Sequence, residues 1–252
     1  MIKFFRKIRQ NLLSEGKTGK YLKYAIGEIV LVVIGILIAL QANNWNEQRK
    51  LDNRIEKFFP KLKHQLEGNI SIVIEDLETI EYFYERSQSI ANNNIGNKDK
   101  IDLNKIDSLI LFTGTDFHLN LNMITVNEAQ LNENLANIKS DTLRESIYLL
   151  IKTNELIIER EQIVNEDVTA NLKPFLNKHY NLKNLFNSLG YSGFEHSNID
   201  SDDIIKIMHN QEFENLIVTR VLYLEDLAIL YYDLKQELET VYQLLEKEMQ
   251  EL

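Results

Sequence analysis

Cysteine is absent from the 252 residues, which removes a disulfide framework, a thiolate nucleophile and a cysteine-ligated metal. Proline (two) and glycine (nine) are scarce, too few to punctuate the many turns of an all-β fold. The chain has no Gly-rich phosphate loop, no Gly-x-Ser-x-Gly and no His-Glu-x-x-His, so the chemistries that start from those motifs have no foothold. Five histidines stand at 64, 118, 179, 196 and 209 without an i,i+4 pair, so no metal site is expected. Glu159/Glu161 and Glu237/Glu239 read as solvent-facing helix positions rather than a hydrolase dyad. The acidic run Glu195-His-Ser-Asn-Ile-Asp-Ser-Asp-Asp203 lacks the glycine and closing glutamate of a calcium loop. Asp200 or Ser201 is expected instead to cap a helix from Ile204. The expectation is a non-enzyme with no cofactor.

Basic charge is scarce everywhere except at the start. The net charge is −10, but residues 1–28 hold seven bases against two acids, leaving −15 on the remainder. So acidic a body argues against a nucleic-acid partner, because phosphate binding needs concentrated Lys and Arg.

What the chain does have is one long apolar run. From Tyr24 to Ala42 the only charge in 19 residues is Glu28. At the α-helical rise this spans roughly 28 Å, close to the ~30 Å hydrocarbon core of a bilayer. Lys3, Arg6, Lys7, Arg9, Lys17, Lys20 and Lys23 precede it against Glu15 alone, while Gln41-Ala-Asn-Asn-Trp-Asn46 follows uncharged. The positive-inside rule then puts the N-terminus in the cytoplasm and the rest across the membrane. Tyr21, Tyr24 and Trp45 stand where interfacial aromatics belong. A buried core helix rarely carries such flanks. A cleaved signal fits poorly, since the basic region is long and Leu40-Gln-Ala42 is a weak small-x-small site. Before the run, Phe4, Phe5, Ile8 and Leu12 share a helical face, with Lys3, Arg6, Lys7 and Arg9 elsewhere. That pattern suits a membrane-surface helix, or an ordinary targeting region that needs only the charge.

These residues also carry a resemblance. Met1-Ile-Lys-Phe-Phe-Arg-Lys-Ile-Arg-Gln10, then Lys20-Tyr-Leu-Lys-Tyr-Ala-Ile-Gly-Glu-Ile-Val-Leu-Val-Val-Ile-Gly-Ile-Leu-Ile-Ala-Leu-Gln41 and Asn43-Asn-Trp-Asn-Glu47, resemble an uncharacterised family of bacterial inner-membrane proteins. The likeness is dense over residues 1–50 and looser at Thr125-Val-Asn-Glu-Ala-Gln-Leu131 and Leu143-Arg-Glu-Ser-Ile147. It implies a single-pass protein with a helical periplasmic body, and no activity or functional residue.

About 205 residues follow the anchor, enough for one domain with its own core. Ile55, Phe59, Leu62, Leu66, Ile70, Val73, Leu77, Ile80 and Tyr84 predict a helix whose heptad takes one extra step of four near Leu66. Pro60 predicts a kink or fresh start within it, and the Asn-rich run from Ala91 to Asn97 its end. Leu143, Ile147, Leu150, Ile157, Val164 and Val168 predict a second helix, capped by Ser140 or Asp141 and closed before Pro174. Ile217, Val221, Leu224, Ala228, Tyr231, Leu238, Tyr242, Leu245, Met249 and Leu252 predict a third from Gln211, interrupted at Lys235 and widened by Leu216, Leu227, Leu230, Leu234, Val241 and Leu244. Shorter helices are expected at 103–112 and 126–138, the latter through Leu131, Leu135 and Ile138. Residues 118–123 alternate, but their asparagines argue against a strand. Gly190-Tyr-Ser-Gly193 predicts a turn. The expected fold is all-α: a basic segment (1–23), a transmembrane helix (24–42) and an elongated antiparallel helical bundle (43–252).

Glu28, Gly35, Ala39 and Ala42 lie 7, 4 and 3 apart and so share one stripe of the anchor. A charge costs ~2.5–3.5 kcal/mol at mid-membrane and less near the edge, where Glu28 can snorkel to the head groups. The other use of the stripe is helix packing, with a second copy or an envelope partner. Two functions follow: a membrane-anchored interaction module, or a ligand sensor binding between helices. A sensor acting alone should re-enter the cytoplasm, yet the chain closes on the charged Glu246-Lys-Glu-Met-Gln-Glu-Leu252, so its signal would pass through partners. The topology predicts that protease digests the C-terminus once the outer barrier is opened; protection by the inner membrane alone contradicts it.

Overall fold

The computed structural model describes residues 18–92, 106, 109–111, 113–132, 134–191, 193, 195, 197 and 204–251. Among the described residues the helices in order are α1 (Thr18–Ala91), α2 (Ile124–Leu131), α3 (Asp141–Asp167), α4 (Lys173–His179), α5 (Leu182–Ser188), α6 (Ile204–Met208) and α7 (Gln211–Gln250). A 3-10 turn stands at Leu135–Asn137 and a π turn at Val168–Leu172, and residues 106, 109–111 and 113 are also helical. No strand occurs among the described residues, and the fold is all-α. The chain divides into two compact units, Met1–Lys57 and Phe58–Leu252.

In the first unit, residues 29–42 of α1 are exposed throughout. Among the described residues this helix alone is long and apolar enough to cross a membrane, and none of its apolar stretch is buried. After the stretch the Arg49 guanidinium stands 5.4 Å from the Trp45 ring centre and Lys50 pairs with Glu47 at 2.9 Å.

In the second unit, the inward positions of three helices step by four and three without a break. On α1 they are Phe59, Leu62, Leu66, Asn69, Val73, Asp76, Ile80, Phe83, Ser87 and Ile90, all buried except the half-buried Asp76. On α3 and the π turn they are Leu143, Ile147, Leu150, the half-buried Asn154, Ile157, Glu161, Val164 and Val168. On α7 they are Phe213, Ile217, Arg220, Leu224, Leu227, Tyr231, Leu234, Leu238, Val241 and Leu245. The extra step expected near Leu66 is therefore absent: Asn69 continues the heptad, and Ile70, Leu77 and Tyr84 are half-buried flanks. Likewise the α7 seam passes through Arg220, Leu227, Leu234 and Val241, not Val221, Ala228, Lys235 and Tyr242. On α1 and α7 a buried polar residue with a partner, Asn69 or Arg220, holds a seam position, and apolarity alone selects its neighbour instead.

Lys63 meets Glu246 at 2.6 Å and the Tyr242 hydroxyl donates to Glu67 at 3.1 Å, so α1 runs antiparallel to α7. Thr153 donates to Glu237 at 2.9 Å and Arg160 pairs with Asp226 at 3.0 Å, which sets α3 antiparallel to α7 as well. Within this unit α1 and α3 are thus parallel, and the chain must cross back between them. Residues 114–123, without regular structure, lie on that path. Ile90 at the end of α1 and Ile106, Leu109 and Ile110 pack on Leu172, Phe175, Ile207, Phe213 and Ile217.

Helix ends follow their caps. The Ser140 hydroxyl accepts the Leu143 N–H at 3.2 Å, and the Asn210 side chain accepts those of Glu212 and Phe213 at 2.8 and 3.2 Å. After α5, Gly190 takes φ 80° and the Tyr191 N–H reaches the Phe186 carbonyl at 3.0 Å, a left-handed closure that favours glycine. The closure expected before Pro174 does not occur; α3 widens into the π turn and α4 begins with Pro174 in its first turn. Proline has no N–H to meet the Ala170 carbonyl, and it is tolerated where a helix starts. Pro60 lies inside α1 and starts no new helix. The helix expected over 126–138 ends at Leu131, with turns at Asn132 and Asn134, leaving Leu131 exposed and Leu135 and Ile138 buried. The Asp200 or Ser201 cap and most of residues 91–97 lie outside the described residues.

The burial pattern makes a direct forecast on α7. Leu224→Ala, at a fully buried position, costs about 2–5 kcal/mol, whereas Leu222→Ala, at a position 58% exposed, stays within about 0.5 kcal/mol. Denaturant melts of the two variants check this.

Candidate functional site

An extended chain inside a helical unit carries backbone N–H and C=O groups that no sheet satisfies, and leaving them dry costs about 1–3 kcal/mol apiece. Residues 114–125 answer this with side chains from all three long helices. The Arg220 guanidinium donates to the Thr115 carbonyl. Asn165 accepts the Phe117 N–H at 2.9 Å and donates to the Phe117 carbonyl at 2.7 Å, as a neighbouring strand would. Glu161 Oε1 accepts the Leu119 N–H at 2.7 Å. Asn69 accepts the Asn122 N–H and donates to its carbonyl, both at 2.9 Å, and Gln65 accepts the Thr125 N–H at 2.6 Å. Burial along the segment alternates: Phe117 and Leu119 are inside, while Asp116, His118 and Asn120 are exposed. The alternation seen in the sequence was real, and the side chains of the neighbouring helices replace the missing sheet.

The polar seam residues are those that bind this crossover. Glu161 is 4% exposed and also takes the Tyr231 hydroxyl on Oε1, so it is no solvent-facing carboxylate. Its i,i+2 spacing from Glu159 concealed this, whereas the 4,3 step from Ile157 through Glu161 to Val164 reveals it. Glu237, too, is half-buried, bonded to Thr153. Burial holds the Glu161 carboxyl above its ordinary range, with the half-buried Asp76 pushing the same way. Burial also raises the Tyr231 hydroxyl, which donates rather than ionises. Arg220 is drawn down to about 10 by burial and so stays charged at neutral pH, 5.1 Å from the Phe117 ring centre. Phe83 meets the same ring edge-on, with centroids 5.5 Å apart.

Beside the crossover lies an open groove of about 610 Å³. It is lined by Ile158, Glu161, Gln162, Asn165 and Glu166 of α3, His118 of the crossover, and Thr169 and Ala170 of the π turn. No group of three His, Asp or Glu that could hold a metal occurs among the described residues.

The anchor stripe is separate. Ala39 and Ala42 are exposed, a Cβ at Gly35 would meet nothing within 4 Å, and Glu28 is half-buried. Lys3, Arg6, Lys7 and Arg9 lie outside the described residues.

Residues 28–82 match a family of unknown function (DUF6090). The match covers about a fifth of the chain, taking in Glu28, Gly35, Gln65 and Asn69 but neither Glu161 nor Arg220. No curated protein and no solved structure matches the chain.

Two variants test Glu161. Glu161→Ala strands the Tyr231 hydroxyl and Leu119 N–H and costs about 2–4 kcal/mol. Glu161→Gln keeps the acceptor and removes the titration. A carboxyl whose folded pKa is raised gains stability as pH falls through that pKa and loses it as pH rises. The Tm of Glu161→Gln minus that of wild type therefore grows from about pH 5 to pH 8. Asp76 and Glu237, raised in the same direction by burial, remain in both proteins.

Proposed function

We propose that the chain is a membrane-anchored helical interaction module of the cell envelope, its N-terminus cytoplasmic and its body periplasmic. The observation that carries this reading is the apolar stretch of α1, long enough to span a bilayer and uncovered along its length. The stripe Glu28, Gly35, Ala39 and Ala42 provides a close-packing face within it, since small residues let helix backbones approach. A second copy of the anchor or an envelope protein is the partner, the bilayer is the medium, and Lys3, Arg6, Lys7 and Arg9 meet anionic head groups. Exposed apolar rows on the second unit, Leu149, Leu156 and Ile163 on α3 and Val218, Leu222, Ile229 and Tyr232 on α7, support association of the body too.

The groove beside Glu161 supports a second reading, a small-molecule sensor that signals through partners. Its volume falls within the usual range for ligand sites. Crosslinking in membranes tests the first. Wild type is expected to form specific dimers or a defined heteromeric product, with Gly35→Ile reducing it about tenfold and Glu28→Ala less. The same monomer in wild type and both variants contradicts it.

A further inference from the structure

The groove beside the crossover is lined by two carboxylates, Glu161 and Glu166. Each of its two amide side chains commits one N–H within the fold: Asn165 Nδ2 to the Phe117 carbonyl at 2.7 Å, and Gln162 Nε2 to Glu166 Oε1 at 2.7 Å. Acceptors remain. Glu161 Oε1 is taken by the Tyr231 hydroxyl and the Leu119 N–H, which fix the carboxylate in one orientation, and neither bond uses Oε2. Glu166 is exposed at the rim, held by Gln162. The rest of the lining is Ile158, Ala170, His118 and Thr169, and the groove's surface is largely apolar. A buried carboxylate fixed in orientation, a second, exposed one and a largely apolar lining surface complement a positively charged donor that carries a short hydrocarbon body. A metal ion is the poorer complement, because no three ligating side chains converge among the described residues.

We infer that this groove is a binding site for a small organic ammonium ion, its cationic head on Glu161 and Glu166 and its hydrocarbon portion along Ile158 and Ala170. The site rests on the sensor reading and narrows it to one ligand chemistry. Groups that bear on the head are Asp76 from α1, His118 from the crossover and Tyr231 from α7, alongside Glu166 on α3 itself. The Tyr231 and Leu119 bonds tie the carboxylate to α7 and to the crossover, so the ligand's charge acts on the same oxygen pair that holds the return path.

The test is calorimetric titration of the full chain in phosphatidylcholine nanodiscs, with empty nanodiscs as blank. The probes are n-butylammonium, butyrate and n-butanol, matched in length and differing in charge. Saturable binding of n-butylammonium alone is expected. Glu166→Gln should weaken it at least about threefold and Glu161→Gln about tenfold. Ala170→Trp, a substitution at an exposed position that fills the groove, should abolish it. Absence of saturable n-butylammonium binding overturns the inference. So does wild-type affinity in both Glu166→Gln and Ala170→Trp, neither of which alters a buried residue. If butyrate or n-butanol binds as well as the amine, and Ala170→Trp blocks it, the sensor reading stands and the ammonium site falls.

Discussion

The second unit depends on the need to satisfy the backbone of a chain that crosses it without helix or sheet. Two of its long helices are parallel, and a chain that joins parallel helices must return between them. Water would meet the polar groups of an external loop, but Phe117 and Leu119 are buried, so protein atoms have to. Asn165 and Asn69 each clasp one residue's N–H and carbonyl together, reproducing the exchange of bonds between antiparallel strands. Arg220, Glu161 and Gln65 complete the series.

Polar seam positions follow from that requirement. A bundle built only for stability would fill Asn69, Glu161 and Arg220 with hydrocarbon, since a buried charge costs more than it returns unless it is fully engaged. The crossover engages each of them, Arg220 through one amino group while its Nε and Nη1 stay buried without a hydrogen-bond partner, and each fixes where along its helix the segment sits. The apolar rows above and below, from Leu224 to Leu245 on α7 and from Leu143 to Ile157 on α3, supply the hydrophobic stabilisation. The groove follows from the same arrangement, because Glu161 faces the crossover on one side and open space on the other.

How much of this was legible divides along the same line. The long apolar stretch of α1 was readable because its length and composition are local properties of residues 24–42. Helix positions were readable for the same reason, from Ser140 at one start to Asn210 at another. The seams came out one residue off, at Ile70 for Asn69 and at Val221 for Arg220. Apolarity is a proxy for burial, and it fails where a polar side chain is buried against a backbone distant in sequence. Asn69 and Asn122 are 53 residues apart, and Glu161 and Tyr231 70. Only unbroken 4,3 spacing through the polar positions distinguishes the true seam. The crossover's alternation was visible, but its asparagines obscured what it meant: Asn122 contributes its backbone to the bonds with Asn69, while its side chain caps Ile124 at 3.1 Å.

Amide hydrogen exchange on the intact chain tests the crossover most directly. The N–H groups of Phe117, Leu119, Asn122 and Thr125 are each bonded to a helix side chain. They are predicted to exchange only through cooperative opening of the unit, with protection comparable to that of Leu224 and Leu238 in α7. Exchange at the rate of an exposed loop at those four amides, while α7 stays protected, would contradict the account.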